Sequence, residues 1–88
     1  MNIDIKIKYK NEKLQSARLA AGMSQAELSK ASGIPVRTLQ HYEQGTNDLN
    51  GAKLVSILDI CIALDCKVSD VLTDEDTIKK LKKLFKNA

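Results

Sequence analysis

The sequence predicts an all-α domain. Three observations point to it: apolar side chains recurring every three or four residues through most of the chain, glycines placed as helix stops at Gly22, Gly33 and Gly45, and helix-start signals just beyond the resulting loops. At 88 residues there is room for one domain, near the lower limit of what folds alone. A composition of 43 % hydrophobic and 28 % charged residues supplies a core and argues against disorder throughout.

The first ten residues depart from the helical pattern. Ile3, Ile5, Ile7 and Tyr9 alternate with Asp4, Lys6, Lys8 and Lys10, a period of two that predicts a short strand or arm over 1–10. A lone strand is unstable, so it needs a partner or stays an arm. The first helix is expected over 11–21, with Leu14, Ala17 and Ala21 on one side and Gly22 as the stop. Ser24 and Glu27 have the spacing of a capping box, and Met23 and Leu28 that of a hydrophobic staple, so a second helix runs from about Gln25 to Ser32 and ends at Gly33. Pro35 suits the first turn of a third helix, where its missing N–H costs nothing, and Gly45 closes that helix after Gln44.

Asn50 is the expected N-cap of a fourth helix through Leu64. Leu54, Ile57, Leu58, Cys61 and Leu64 suffice for its core face. Val55, Ile60 and Ile62 widen the apolar arc beyond one face and are either further core or dimer contacts; both readings stay open. A short helix at 68–72 follows. A last helix, about 75–87, carries Ile78, Leu81, Leu84 and Phe85 on one stripe and Lys79, Lys80, Lys82, Lys83 and Lys86 on the other side, with Asp74, Glu75 and Asp76 at its positive end. The expected organisation is an arm (1–10), a globular domain (11–73) and a basic amphipathic helix (74–88).

Composition excludes several functions. Two cysteines and one histidine cannot build a four-ligand zinc site without carboxylates, and no metal or other cofactor is expected. Cys61 and Cys66 would lie on different faces of a single helix and read as small buried thiols. No Gly-rich phosphate loop or nucleophile motif is present, so no catalytic residues are assigned and an enzyme is not expected. Three aromatics, Tyr9, Tyr42 and Phe85, are too few for a base-stacking platform. The longest apolar run, Ile60 to Leu64, cannot cross a bilayer, and the start lacks an export signal, so the expected compartment is the cytoplasm and no membrane partner is expected. The formal charge of +3 divides into +3 over residues 1–21, −5 over 22–76 and +5 over 77–88, a pattern that suits contact with a polyanion through part of the surface.

Two short helices joined by a Gly-containing turn, over 25–42, have the form of a helix-turn-helix. Leu28, Ile34, Leu39 and Tyr42 would fill the angle between them, and the small Ser29 would let them approach. The outer face of the third helix is then free to display Val36, Arg37, Gln40, His41 and Gln44, without an acid among them. Arg and Gln are side chains that read base edges through paired hydrogen bonds.

Leu14-Gln15-Ser16-Ala17-Arg18, Gly22-Met23-Ser24-Gln25-Ala26-Glu27-Leu28, Gly33, Leu39 and Tyr42-Glu43-Gln44-Gly45 together resemble the Cro/phage-repressor (XRE) helix-turn-helix family. Ile62-Ala63-Leu64 and Val68-Ser69-Asp70-Val71-Leu72 resemble its closing segment, so the likeness covers about residues 13–73. The resemblance implies a five-helix phage-repressor-like bundle, to which this chain adds the arm and the C-terminal helix. It implies a sequence-specific regulator of repressor type, a homodimer on double-stranded DNA with helix 35–44 in the major groove. Val36, Arg37, Gln40 and His41 match base-contacting positions, Gln25, Gln44 and Asn47 phosphate-contacting ones, and Arg18 and Glu43 a structural ion pair. Ala21, Thr46 and Asn47 stand where many members carry cations, which weakens the electrostatic grip. The alternative function is a protein-interaction module, such as an antitoxin or anti-repressor, whose partner is a toxin or regulator.

Overall fold

The computed structural model describes Tyr9 and residues 11–86. The expected strand or arm over 1–10 lies outside the described residues except for Tyr9, whose backbone N–H donates to the Gly45 carbonyl at 3.0 Å. Five α-helices and two 3₁₀ turns make up the described chain: α1 (Glu12–Ala20), α2 (Gln25–Ser32), α3 (Val36–Gln44), a 3₁₀ turn (Leu49–Gly51), α4 (Leu54–Leu64), a second 3₁₀ turn (Val68–Asp70) and α5 (Glu75–Leu84). The expected all-α bundle with a C-terminal amphipathic helix is the observed architecture.

Local chemistry accounts for most of the boundaries. Ser24 Oγ accepts from the Glu27 N–H at 3.1 Å while the Glu27 carboxylate accepts from the Ser24 N–H at 3.0 Å, completing the capping box of α2. Hydrogen bonding to the carboxylate from the Ser24 backbone N–H, and then from its side chain, holds the Glu27 carboxyl below its ordinary value. The box is therefore fully formed above the usual carboxylate range and is lost as pH falls through the lowered value. Gly33 ends α2 in the left-handed region at φ 76°. A Cβ at Gly33 would meet no neighbouring atom, so Gly33→Ala tests backbone conformation alone. Its expected cost is about 1 kcal/mol, read as a lower midpoint in urea unfolding with an unchanged slope. Pro35 stands at the N-cap of α3 rather than inside its first turn.

Asn11 likewise caps α1 instead of belonging to it. It is 2 % exposed, its Oδ1 accepts from the Leu14 N–H at 3.0 Å, and its Nδ2 donates to the Val71 carbonyl at 2.8 Å. One side chain thus starts the first helix and fastens it to the far end of the bundle.

Residues Leu14, Leu28, Ile34, Leu39, Leu49, Ile57, Ile60, Cys61, Leu64, Val71 and Leu72 form one buried cluster. α2 sits at its centre, packed on both α3 and α4, and α1 packs on α3.

Five expectations need correction. The fourth helix begins at Leu54, not after Asn50, because Asn50 is used elsewhere: its Oδ1 accepts from the N–H groups of Thr73 and Asp74 at 2.9 and 3.0 Å, setting the start of α5. The buried side of α4 is Ile57, Ile60, Cys61 and Leu64, whereas Leu54 and Leu58 are exposed. Ile60, one of the candidate dimer contacts, is fully enclosed in the chain's own core and cannot touch a partner. Residues 68–72 make a single 3₁₀ turn at Val68–Asp70, and α5 ends at Leu84, earlier than the expected 87.

Candidate nucleic-acid interface

α3 is held by its inner side. Leu39 is fully buried where α3 meets α1 and α2, and Tyr42 packs partly against the same core. On the opposite side Arg37, His41 and Gln44 follow one another at i, i+4 and i+7, which places them on one helical face. Arg37 and Gln44 are exposed; Val36, Gln40 and His41 are half-buried. The sharp, left-handed Gly33 followed by Pro35 turns the chain so that this face is presented and not packed.

The single acid of α3 is turned away from that face. Glu43 accepts from Arg18 through both oxygens, Nε to Oε2 at 2.8 Å and Nη2 to Oε1 at 3.0 Å. Arg18 also donates Nη1 to the Met23 carbonyl at 2.8 Å. The side chains of the pair are only 9 % and 6 % exposed. The hydrogen bond and charge of Glu43 raise the Arg18 guanidinium above its ordinary value against the opposing effect of burial, so it stays charged. Arg37 is left as the charged side chain on the outward face of α3.

Gln25 opens α2 beside this pair, and its Nε2 donates to Glu43 Oε1 at 3.3 Å. The link holds the N-terminus of α2 next to α3. The first amide N–H groups of a helix have no partner inside it, and they make up the positive end of its dipole. At the far end of α3, the His41 carbonyl accepts from the N–H groups of Gly45, Thr46 and Asn47 at 3.0, 3.0 and 3.2 Å. His41 Nδ1 pairs with Thr46 Oγ1 at 2.6 Å, which fixes the ring and leaves Nε2 as its other polar atom. Asn47 is exposed in the loop after α3. The structure therefore brings Gln25, Val36, Arg37, Gln40, His41, Gln44 and Asn47 onto α3 and the two chain segments that flank it.

Thr46 is a residue that sequence reasoning counted only as a missing cation. Its role as a brace for His41 depends on the chain turning back at Gly45, and nothing in a Thr five residues after a His signals that. The remaining candidate dimer contacts, Val55 and Ile62, are 60 % and 77 % exposed on α4, away from Ile60. Ile62 lines a groove of about 730 Å³ between α4 and α5, whose apolar walls include Leu54, Leu58, Leu81, Leu84 and Phe85.

Among the described residues no cluster of three metal-ligating side chains occurs, and no helix is long and apolar enough to cross a membrane. Comparison with known proteins fits the geometry. The Helix-turn-helix family model (HTH_3) matches residues 14–66. No curated protein matches the chain. Among solved structures, the restriction-modification controller protein C.AhdI from Aeromonas hydrophila is similar at 30 % identity and a TM-score of 0.60, over 67 % of this chain and 85 % of that one. A presented α3 on a capped α2, matched over most of the bundle, places the chain in the helix-turn-helix family, of XRE type: it is a DNA-binding transcription regulator.

Proposed function

We propose that two copies of this chain bind a two-fold operator in double-stranded DNA and repress transcription from it. The observation that carries this is the face of α3, where Arg37 and Gln44 are exposed beside His41 and Gln40 while Glu43 is drawn inward by Arg18. In this reading Val36, Arg37, Gln40 and His41 meet base edges in the major groove, Val36 at a thymine methyl and Arg37 at a guanine. Gln25, Gln44 and Asn47 hold phosphates, with Gln25 placed at the positive end of α2. Residues 11–73 form the DNA-binding unit, and the lysines of 74–88 add unspecific attraction to the polyanion. The protein acts in the cytoplasm.

The exposed side of α4 and the groove beside it serve the second copy, with Val55 and Ile62 in contact and the two α3 helices about 34 Å apart. Selection from random duplex DNA at a stated salt concentration tests both parts. The expected product is a two-fold consensus with half-sites one helical turn apart. Arg37→Ala is expected to weaken that site by about 1–3 kcal/mol and to relax one base preference in each half. Unchanged affinity for the selected site would remove Arg37 from the base-reading set.

The apolar groove favours a second reading, a module that binds a partner protein such as a toxin or another regulator. Selection that yields no consensus, together with a stable one-to-one protein complex, is the outcome that would favour it.

A further inference from the structure

Cys61 and Cys66 are not on different faces of one helix, because the helix ends between them. The Cys66 N–H donates to the Cys61 carbonyl at 3.1 Å and the Asp65 N–H to the Ile62 carbonyl at 3.2 Å, with Asp65 left-handed at φ 50°. This is the Schellman arrangement of a helix C-terminus, and it brings together the side chains of the residues its outer hydrogen bond joins. Apolar side chains usually meet there; in this chain both positions are cysteines. We propose that Cys61 and Cys66 form a modification site, a dithiol that hydrogen peroxide converts into an intrachain disulfide.

The surroundings admit the reagent. Both cysteines lie in the wall of the α4–α5 groove, and Cys66 also lines a second cavity of about 720 Å³ on the α1 side, so a small oxidant reaches Cys66 through that cavity even where a second copy covers the groove. Cys61 is buried and Cys66 is half-buried; neither is in a disulfide. Each thiol lies close enough to affect the ionisation of the other through a hydrogen bond. Cys61 Sγ also donates to the Lys67 carbonyl at 3.7 Å, an interaction the disulfide gives up.

Burial pushes the Cys61 thiol up to about 12 and raises Cys66 as well. Asp70 raises both, and Asp65 raises Cys66 further. Lys67 beside Cys66, and Glu12 and Lys13 of α1 across the second cavity, are the other charges nearby. Both thiols are consequently protonated near neutral pH, and reaction begins at the more accessible Cys66. Its thiolate attacks one oxygen of the peroxide; the O–O bond breaks, the leaving hydroxide takes a proton to become water, and Cys66 becomes a sulfenic acid. The Cys61 sulfur then attacks the Cys66 sulfur. The S–S bond forms as the S–O bond breaks, and the departing hydroxide takes the Cys61 proton as a second water. Two electrons pass from the two sulfurs to the peroxide, and two waters are released.

The full chain is treated with hydrogen peroxide and examined by intact mass, thiol titration and non-reducing electrophoresis. The expected product is a monomer about 2 Da lighter, with both thiols lost together, a linked Cys61–Cys66 peptide and full recovery on dithiothreitol. Oxidation is expected to quicken as pH rises from about 7 to about 9, since the thiolate is the nucleophile. Cys61→Ser is expected to stop at a Cys66 sulfenic acid that a 1,3-diketone traps. If Cys61→Ser does not fold, the peptide map of the unaltered chain decides the matter. Retained thiols, disulfide-linked dimers or added oxygen without a linked peptide would each overturn the proposal. None of these readouts depends on DNA binding.

Discussion

Glu43→Ala is expected to destabilise the domain by about 3–5 kcal/mol, because it strands the Arg18 guanidinium in a site made for a charge pair. Arg18 would lose two hydrogen bonds, those from Nε and Nη2, and keep only the one to the Met23 carbonyl. Gln25 Nε2 would lose its acceptor as well. Small domains have about 5–15 kcal/mol of stability in total, so a loss of this size takes much of it. Thermal unfolding followed by circular dichroism reads the loss as a midpoint lower by some 12–40 °C, at about 4–8 °C per kcal/mol for a domain of this size. The paired replacement Arg18→Met with Glu43→Leu is expected to restore most of that midpoint, since removing both charges leaves none unpaired. A double variant no more stable than Glu43→Ala would mean that the side chains matter for shape and not for charge.

The second large effect is expected at Leu39. It is fully buried at the junction of α3 with α1 and α2, and Leu39→Ala leaves a cavity there that short helices cannot close without moving. The expected loss is about 2–5 kcal/mol, read as a lower urea midpoint. The contrast with Arg37→Ala is the informative part. Arg37 is exposed and makes no hydrogen bond or ion pair among the described residues, so its removal is expected to change stability by no more than about 0.5 kcal/mol. One position of α3 is thus expected to govern folding and the other, in the proposed reading, DNA affinity. If Arg37→Ala also lowered the unfolding midpoint strongly, the outward face of α3 would be part of the core.

Legibility followed the range of the interaction. The capping box of Ser24 and Glu27 and the stops at Gly33 and Gly45 depend on a few neighbouring residues, and they stand where the sequence puts them. The direction of Leu39 inward and Arg37 outward follows from helical periodicity alone. The apolar arc of α4 was too wide to orient by periodicity, since Leu54, Leu58 and Ile60 all offered a plausible inner edge. Packing against α2 selected Ile60 and left Leu54 and Leu58 exposed. Asn50 carried a helix-cap signal of the right type, but its side chain reaches residues 23 and 24 positions away, Thr73 and Asp74.

By itself the sequence determined the succession of helices, the bend before the third and the face that the third helix presents, because caps, glycine turns and amphipathic periods are set within one or two helical turns. Only the tertiary structure decided which side of α4 is core, that Asn11 fastens α1 to Val71 and that Thr46 braces His41. Those outcomes depend on how complete helices dock and how the chain doubles back at their ends. A hydrogen bond across 60 residues has no local signature, since its partner is supplied by packing and not by spacing.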